Sequence, residues 1–70
     1  MDLGTYLESR NISQKEFADM LGVRASTVSN YICGRRLPNS RIGRGIEKLT
    51  KNKVTIDDMI KKFEEEKKHG

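Results

Sequence analysis

Residues 13–33 read SQKEFADMLGVRASTVSNYIC, and the rest of this 70-residue chain is arranged around them. Ser13 is a good helix N-cap, because its hydroxyl can accept a hydrogen bond from a backbone N–H of the first turn. Glu16, three residues on, can reach back to the Ser13 N–H and complete a capping box. Gly22 can adopt the positive φ that ends a helix. The stretch therefore predicts two short helices joined by a tight turn at Gly22.

Apolar residues recur on one face of each of these two helices. The predicted core-facing residues are Phe17, Ala18 and Leu21 in the first helix and Val28, Tyr31 and Ile32 in the second. These spacings place each set on one side of a helix. The other face of the second helix is small and polar, and consists of Ala25, Ser26, Thr27, Ser29 and Asn30. This is the pattern of the helix-turn-helix, whose second helix enters the DNA major groove.

A longer set of residues strengthens that interpretation. Its members are Gln14, Ala18, Gly22, Val23, Val28, Tyr31, Gly34, Arg35, Arg36 and Pro38. In this spacing the sequence resembles the Cro/lambda-repressor-like (XRE-type) family of DNA-binding proteins. The resemblance implies an all-α, compact five-helix domain with the helix-turn-helix at helices 2 and 3. Two positions depart from the family pattern, since Arg24 stands where a capping Ser or Thr is more usual and Ile32 where an acidic residue is common.

The start of the second helix of the motif supplies the candidate base-reading residues. Arginine can bond guanine through two hydrogen bonds, asparagine can bond adenine in the same way, and a methyl group can contact a thymine methyl. We expect base contacts from Arg24, Ala25, Ser26, Thr27 and Asn30. Outside a helix-turn-helix, the same face would be read as an ordinary solvated helix surface.

Other polar residues suit the DNA backbone. Gln14 lies at a helix N-terminus, which favours a phosphate, and the resemblance implies a backbone-anchoring role for a glutamine there. The candidate phosphate contacts are Gln14, Ser29, Arg35, Arg36, Arg41 and Arg44. Such contacts position a protein on DNA without specifying a sequence.

The charge of the chain is unevenly distributed. Between residues 24 and 53, eight cationic side chains face one carboxylate, Glu47, a net charge of +7. Residues 1–23 carry a net charge of −2 and residues 54–70 a net charge of −1. This concentration is the electrostatic footprint of a nucleic-acid-binding surface. The alternative is a generally basic surface, which the uneven distribution disfavours.

The flanking sequence predicts three further helices. We expect a first helix capped by Asp2 and running to about Arg10, and a fourth from about Arg41 to Thr50. A Thr55–Asp58 capping box predicts a fifth helix from about Ile56. We predict a DNA-binding domain over residues 1–63 and a charged tail over residues 64–70.

Three residues keep alternative interpretations. Phe63 belongs to the apolar stripe of the fifth helix, which either packs on the bundle or forms a dimer contact, and Phe63 is the candidate for that contact. Gly43 and Gly45 weaken the fourth helix, so its start is either loose or closely approached by a backbone.

Several classes of protein are disfavoured. No apolar run is long enough to span a membrane, and no secretory signal is visible at the start. A single cysteine, Cys33, fits a reducing cytoplasm, and we expect it to be a partly buried packing residue. The single histidine, His69, has no catalytic or metal-binding partner in the sequence. We therefore expect no enzyme activity, metal, cofactor or small-molecule ligand.

The resulting hypothesis is a sequence-specific transcriptional regulator that binds double-stranded DNA. We expect a repressor of phage or mobile-element type, which binds a near-palindromic operator as a homodimer, formed in solution or only on DNA. The first alternative is the antitoxin of a toxin–antitoxin pair, which would bind DNA with the same face and a toxin with the fifth helix and the charged tail. The second is a protein-interaction module without DNA binding, which the basic segment argues against.

Overall fold

Five helices make up the part of the chain that the structure describes. The computed structural model covers the backbone of residues 1–69 and the side chains of residues 1–67. The helices are α1 (Leu3–Arg10), α2 (Gln14–Leu21), α3 (Ala25–Ile32), α4 (Ser40–Leu49) and α5 (Ile56–His69). The predicted all-α, five-helix architecture with the helix-turn-helix at α2 and α3 is confirmed.

The predicted caps set the beginnings of α1 and α2. The Thr5 N–H donates to Asp2 Oδ1 over 2.8 Å, which caps α1. At α2 the Glu16 N–H donates to Ser13 Oγ over 3.0 Å, and the Ser13 N–H donates to Glu16 Oε1 over 3.2 Å. Gly22 ends α2 with a φ of 76°. The capping box and the glycine turn are therefore confirmed.

The caps of α4 and α5 also come from side chains. The Ile42 N–H donates to Asn39 Oδ1 over 2.9 Å, so α4 begins at Ser40, one residue earlier than predicted. Thr55 and Asp58 form the predicted reciprocal box, with bonds of 3.0 and 3.2 Å. Asp58 also pairs with the N-terminal ammonium group over 3.1 Å, which ties the start of the chain to α5.

The core lies where the first four helices converge and α5 closes one side. In the contacts between helices, α2 packs on α3 and α4, α1 packs on α3, and α4 packs on α5. The buried apolar residues are Leu3, Tyr6, Leu7, Phe17, Ala18, Val28, Tyr31, Ile46, Val54 and Met59. Because α3 is held by both α1 and α2, its orientation is fixed by the core.

The two glycines of α4 lie at close contacts between helices. A methyl group at Gly43 would approach Ile56 Cγ1 to 2.7 Å, and one at Gly45 would approach Leu21 Cδ2 to 3.3 Å. Of the two predicted alternatives, close approach is therefore observed, although the neighbour is a side chain and not a backbone. Glycine at residue 43 lets α5 pack against α4.

Cys33 differs from its prediction. Its thiol is exposed, so the expected partly buried position is wrong. The core-facing stripe of α3 ends at Ile32, and one further step of the helix turns Cys33 away from the core. The chain then leaves the helix at Gly34, whose φ is 73°.

The C-terminal residues continue α5. The backbone is helical through Glu64, Glu65 and Glu66 to His69, where the sequence predicted a charged tail. The side chain of His69 and all of Gly70 lie outside the described residues. A functional boundary near residue 63 stays a prediction.

Candidate nucleic-acid interface

Five of the predicted DNA-contacting residues lie on the outward face of α3: four predicted to contact bases and one predicted to contact a phosphate. Val28 is fully buried and Tyr31 is 7% exposed, which turns the opposite side of the helix away from the core. Ala25 and Ser26 are exposed, while Thr27, Ser29 and Asn30 are half-buried. The structure therefore presents a surface of short polar side chains on a rigid helix.

The N-terminus of α3 lacks a side-chain cap. Arg24 occupies the N-cap position with extended backbone angles, and its side chain makes no capping hydrogen bond. Its carbonyl accepts bonds from the N–H groups of Thr27 and Val28 over 3.0 and 3.3 Å. The earlier N–H groups of an uncapped helix remain available to an anion. Arg24 is exposed, so its guanidinium adds a positive charge beside these N–H groups.

The C-terminus of α3 leads directly into the arginine pair. The Gly34 N–H donates to the Tyr31 carbonyl over 3.2 Å, and the Arg35 N–H donates to the Asn30 carbonyl over 3.0 Å. These two bonds form a Schellman turn, which needs the positive φ of Gly34. The structure thus places Arg35 and Arg36, both exposed, immediately after the polar face.

Arg41 and Arg44 form part of a cationic stripe on α4. Both side chains are exposed, and Lys48, four residues after Arg44, is exposed as well. Positions three and four residues apart share a helix face. Lys48 was not among the predicted site residues, although its spacing from Arg44 was a visible signal.

Gln14 lies apart from these residues in the sequence, at the first position of α2. Its side chain is exposed, and the capping box of Ser13 and Glu16 occupies the end of the helix next to it. The structure therefore places Gln14 at the predicted helix N-terminus, with a capping hydroxyl already bonded to the N–H of Glu16.

The cationic side chains of residues 24–53 form no ion pair among the described residues. The ion pairs in the described part of the chain are Met1–Asp58 and Lys62–Glu66, and neither involves residues 24–53. Glu47, the carboxylate of that segment, is half-buried. Its Oε2 accepts a hydrogen bond from the Ile56 N–H over 3.0 Å, which directs this charge toward the start of α5. The arginines therefore face solvent as an unneutralised positive surface.

The ionisable groups whose pKa is shifted lie outside this basic segment, at the start of α1 and on α5. Hydrogen bonds from the backbone N–H groups of Thr5 and Thr55 lower the pKa of Asp2 and Asp58, respectively. The hydrogen bond to Glu66 raises the pKa of Lys62. Asp2 and Asp58 stabilise the starts of α1 and α5, whereas the Lys62–Glu66 pair lies within α5.

Two further features bear on function. Within the described residues, no group of three or more His, Cys, Asp or Glu side chains is placed to hold a metal ion. No helix in that part of the chain has the length and apolar character that a membrane crossing requires.

Comparison with known proteins identifies the family. A helix-turn-helix family model of the Cro/C1 type matches residues 3–54. Neither curated proteins nor solved structures give a significant match to the chain. The matched region comprises α1 to α4 and ends just before α5 begins at Ile56. The chain belongs to the Cro/C1-type helix-turn-helix family of DNA-binding regulators.

Proposed function

We propose that this protein is a sequence-specific transcriptional repressor that binds a near-palindromic operator as a homodimer, with α3 in the major groove. The observation that carries the proposal is an uncharged polar face on α3, with exposed cations at both ends of that helix and on α4 that make no ion pair among the described residues. The cations supply affinity for phosphates, and short polar side chains on a rigid helix supply base discrimination.

The base-reading roles follow from position on α3. Arg24, Ala25 and Ser26 begin the helix, where side chains penetrate deepest into the groove. Thr27 offers a hydroxyl and a methyl group, and Asn30 can bond adenine N6 and N7 together. Half-burial of Thr27 and Asn30 restricts their rotamers, so less conformational entropy is lost when they bind.

The proposed phosphate contacts come from α2, α3, the turn after α3 and α4. Ser29 is half-buried on α3, so its short hydroxyl suits a nearby phosphate. The remaining members of this set are Gln14, Arg35, Arg36, Arg41 and Arg44, all of which are exposed. We add Lys48 to them, because it extends the exposed stripe of α4. Together they would fix the register of α3 in the groove.

The proposed dimer would place its two α3 helices at half-sites on successive turns of DNA, which lie about 34 Å apart. The longest dimension of one molecule is 30 Å, so two copies side by side are long enough to cover that distance. Phe63 is half-buried on α5 and is the proposed dimer contact. Occupancy of such an operator would exclude polymerase from an overlapping promoter.

One observation favours the antitoxin alternative. An open groove of about 830 Å³ runs along the line where the end of α3 meets α5, and its apolar lining includes Ile32, Cys33 and Phe63. A protein partner could insert an apolar side chain there. This function would add a partner to the same DNA-binding surface.

The test is selection of binding sequences from a random duplex pool at about physiological salt. We expect enrichment of a two-fold symmetric motif with half-sites about 10 base pairs apart. Weak enrichment with steep salt dependence would contradict sequence-specific recognition and favour the antitoxin or interaction function.

A pair of charge-matched variants controls for folding. Ser26 and Thr5 are exposed residues in the first turns of α3 and α1, where an aspartate suits the helix dipole. Ser26→Asp places a carboxylate against the DNA and should abolish selection, whereas Thr5→Asp should leave the selected motif unchanged. Equal effects from the two variants would show that α3 does not face the DNA.

A further inference from the structure

The last turns of α5 press against the turn that ends α3. Gly34 is buried, and a methyl group on its Cα would lie 2.7 Å from Glu66 Cγ and 2.9 Å from the Lys62 carbonyl oxygen. There is therefore no room for any side chain between this turn and α5. Gly34 meets both a side chain and a backbone atom of the opposing helix.

The part of α5 that contacts Gly34 is held by an ion pair of its own. Lys62 Nζ and Glu66 Oε1 form an ion pair over 3.3 Å, one helical turn apart. Phe63 lies between them in the sequence and lines the same groove as Gly34 and Arg35. The segment Lys62–Glu66 therefore offers one defined surface to the end of α3.

Arg35 directly follows Gly34, the residue that contacts α5. The Arg35 N–H is bonded to the Asn30 carbonyl over 3.0 Å, and Gly34 precedes it with a φ of 73°. Glycine by itself leaves a turn conformationally free. Here the turn is held on one side by the α3 carbonyls and on the other by α5. The family match ends at residue 54, so α5 lies outside the matched region.

We propose that the Lys62–Glu66 segment of α5 positions Arg35 for its phosphate contact by holding the Gly34 turn. The role rests on the proposed contact of Arg35 with DNA. A fixed backbone at residue 34 reduces the conformational entropy that Arg35 loses when it binds a phosphate. Arg41 lies within α4, whose own helical hydrogen bonds fix its backbone, so it does not depend on this segment.

The experiment is a double-mutant cycle in the full chain, read as the slope of log affinity for duplex DNA against log salt concentration. Lys62→Ala breaks the ion pair with Glu66 and so loosens the segment, and Arg35→Ala removes the proposed phosphate contact. In the parent protein Arg35→Ala should make the slope shallower by about one unit. In the Lys62→Ala background we expect Arg35→Ala to change the slope by clearly less than about one unit. Arg41→Ala should change it by about one unit in both backgrounds.

A second pair of variants keeps the test independent of folding. Glu66→Ala and Glu64→Ala remove the same charge from the same helix, but Glu66 lines the groove and Glu64 is an exposed residue outside that lining. We expect Glu66→Ala, and not Glu64→Ala, to reduce the effect of Arg35→Ala. Thermal unfolding of each variant confirms that it is folded before binding is measured.

The two ways to fail are distinct. An unchanged slope for Arg35→Ala in the parent protein would remove Arg35 from the phosphate contacts, and the positioning role with it. A full effect of Arg35→Ala in all backgrounds would keep the proposed contact and overturn the positioning role of α5.

Discussion

The two helices of the motif, α2 and α3, are alike in length and ending but opposite at their beginnings. Each has eight residues, and each is followed by a glycine with positive φ. The N-terminus of α2 is closed by a reciprocal capping box, whereas that of α3 begins at Arg24 without a side-chain cap. A cap at α3 would stabilise the helix by about 1 kcal/mol.

This difference separates the structural helix from the binding helix. In α2 the polar atoms at the helix start are bonded within the protein, and its apolar face, with Phe17 fully buried, holds the bundle together. In α3 the same end carries an exposed cation and N–H groups that no side chain satisfies. Groups left unpaired in the free protein are the ones that a ligand can pair, so under the proposed function the protein gives up local stability where it would bind DNA.

The largest effect should come from the core of α2. Phe17→Ala should lower the free energy of unfolding by about 3–5 kcal/mol, because it removes a fully buried ring and leaves a cavity. Urea unfolding measures this loss. Asn30→Ala on α3 is the comparison, and it should change stability by less than about 0.5 kcal/mol. Comparable losses of stability from the two variants would contradict the assignment of α2 to the core and of the polar face of α3 to binding.

The next effect should appear in DNA binding and not in stability. Asn30→Ala should reduce discrimination at one position in each half-site by about 1–3 kcal/mol, since the paired bonds to adenine are lost. Competition between duplexes that differ at single positions measures it. Lys15→Ala, on an exposed residue of α2, is the control. An unchanged base preference in both Asn30→Ala and Thr27→Ala would remove the base-reading role from this face.

Removing the cap of α2 and adding a cap to α3 should change the stability of the fold in opposite directions. Ser13→Ala should destabilise the fold by about 1 kcal/mol through loss of the capping box. Arg24→Ser should stabilise it by up to about 1 kcal/mol while weakening DNA binding. Thermal unfolding and DNA titration of both variants give the two readouts. If Arg24→Ser left DNA affinity intact, the open start of α3 would have no binding role.

The predictable features were those set by local sequence. The caps by Asp2, Ser13 and Thr55 depend on side chains within three residues of the bonds they make, and the faces of α2 and α3 follow from helical periodicity. The polar face of α3 was predictable for the same reason.

The features that escaped prediction depend on how distant segments meet. Thr50 is buried because its hydroxyl donates to the Ile46 carbonyl and accepts from the Val54 N–H, and Val54 fills the core beside it. The contact of Gly34 with α5 joins residues about thirty positions apart and has no local signal. Which side chain reads which base stays a prediction, because it depends on how the duplex docks.

The smallest effect concerns the carboxylate caps, which α3 lacks. Asp2 and Asp58 cap α1 and α5, and backbone hydrogen bonds hold the pKa of each below its ordinary value of 3.8. Their contribution to stability is complete above pH about 4 and is lost as the pH falls through the folded pKa. Because both groups are near the surface, we expect about 0.3 kcal/mol from each.

Asp2→Asn isolates this contribution, since asparagine caps a helix equally well but does not titrate in this range. The variant should match the parent protein in acid and be slightly less stable at pH 7, where the parent carboxylate is charged beside the helix dipole. Urea midpoints at pH 7 and about pH 2.5 measure the difference. A difference between Asp2→Asn and the parent protein at pH 7 that disappears in acid would show that the Asp2 carboxylate holds the start of α1 from within the protein, in contrast to the start of α3, which has no side-chain cap. Equal differences at the two pH values would remove this contribution from the carboxylate.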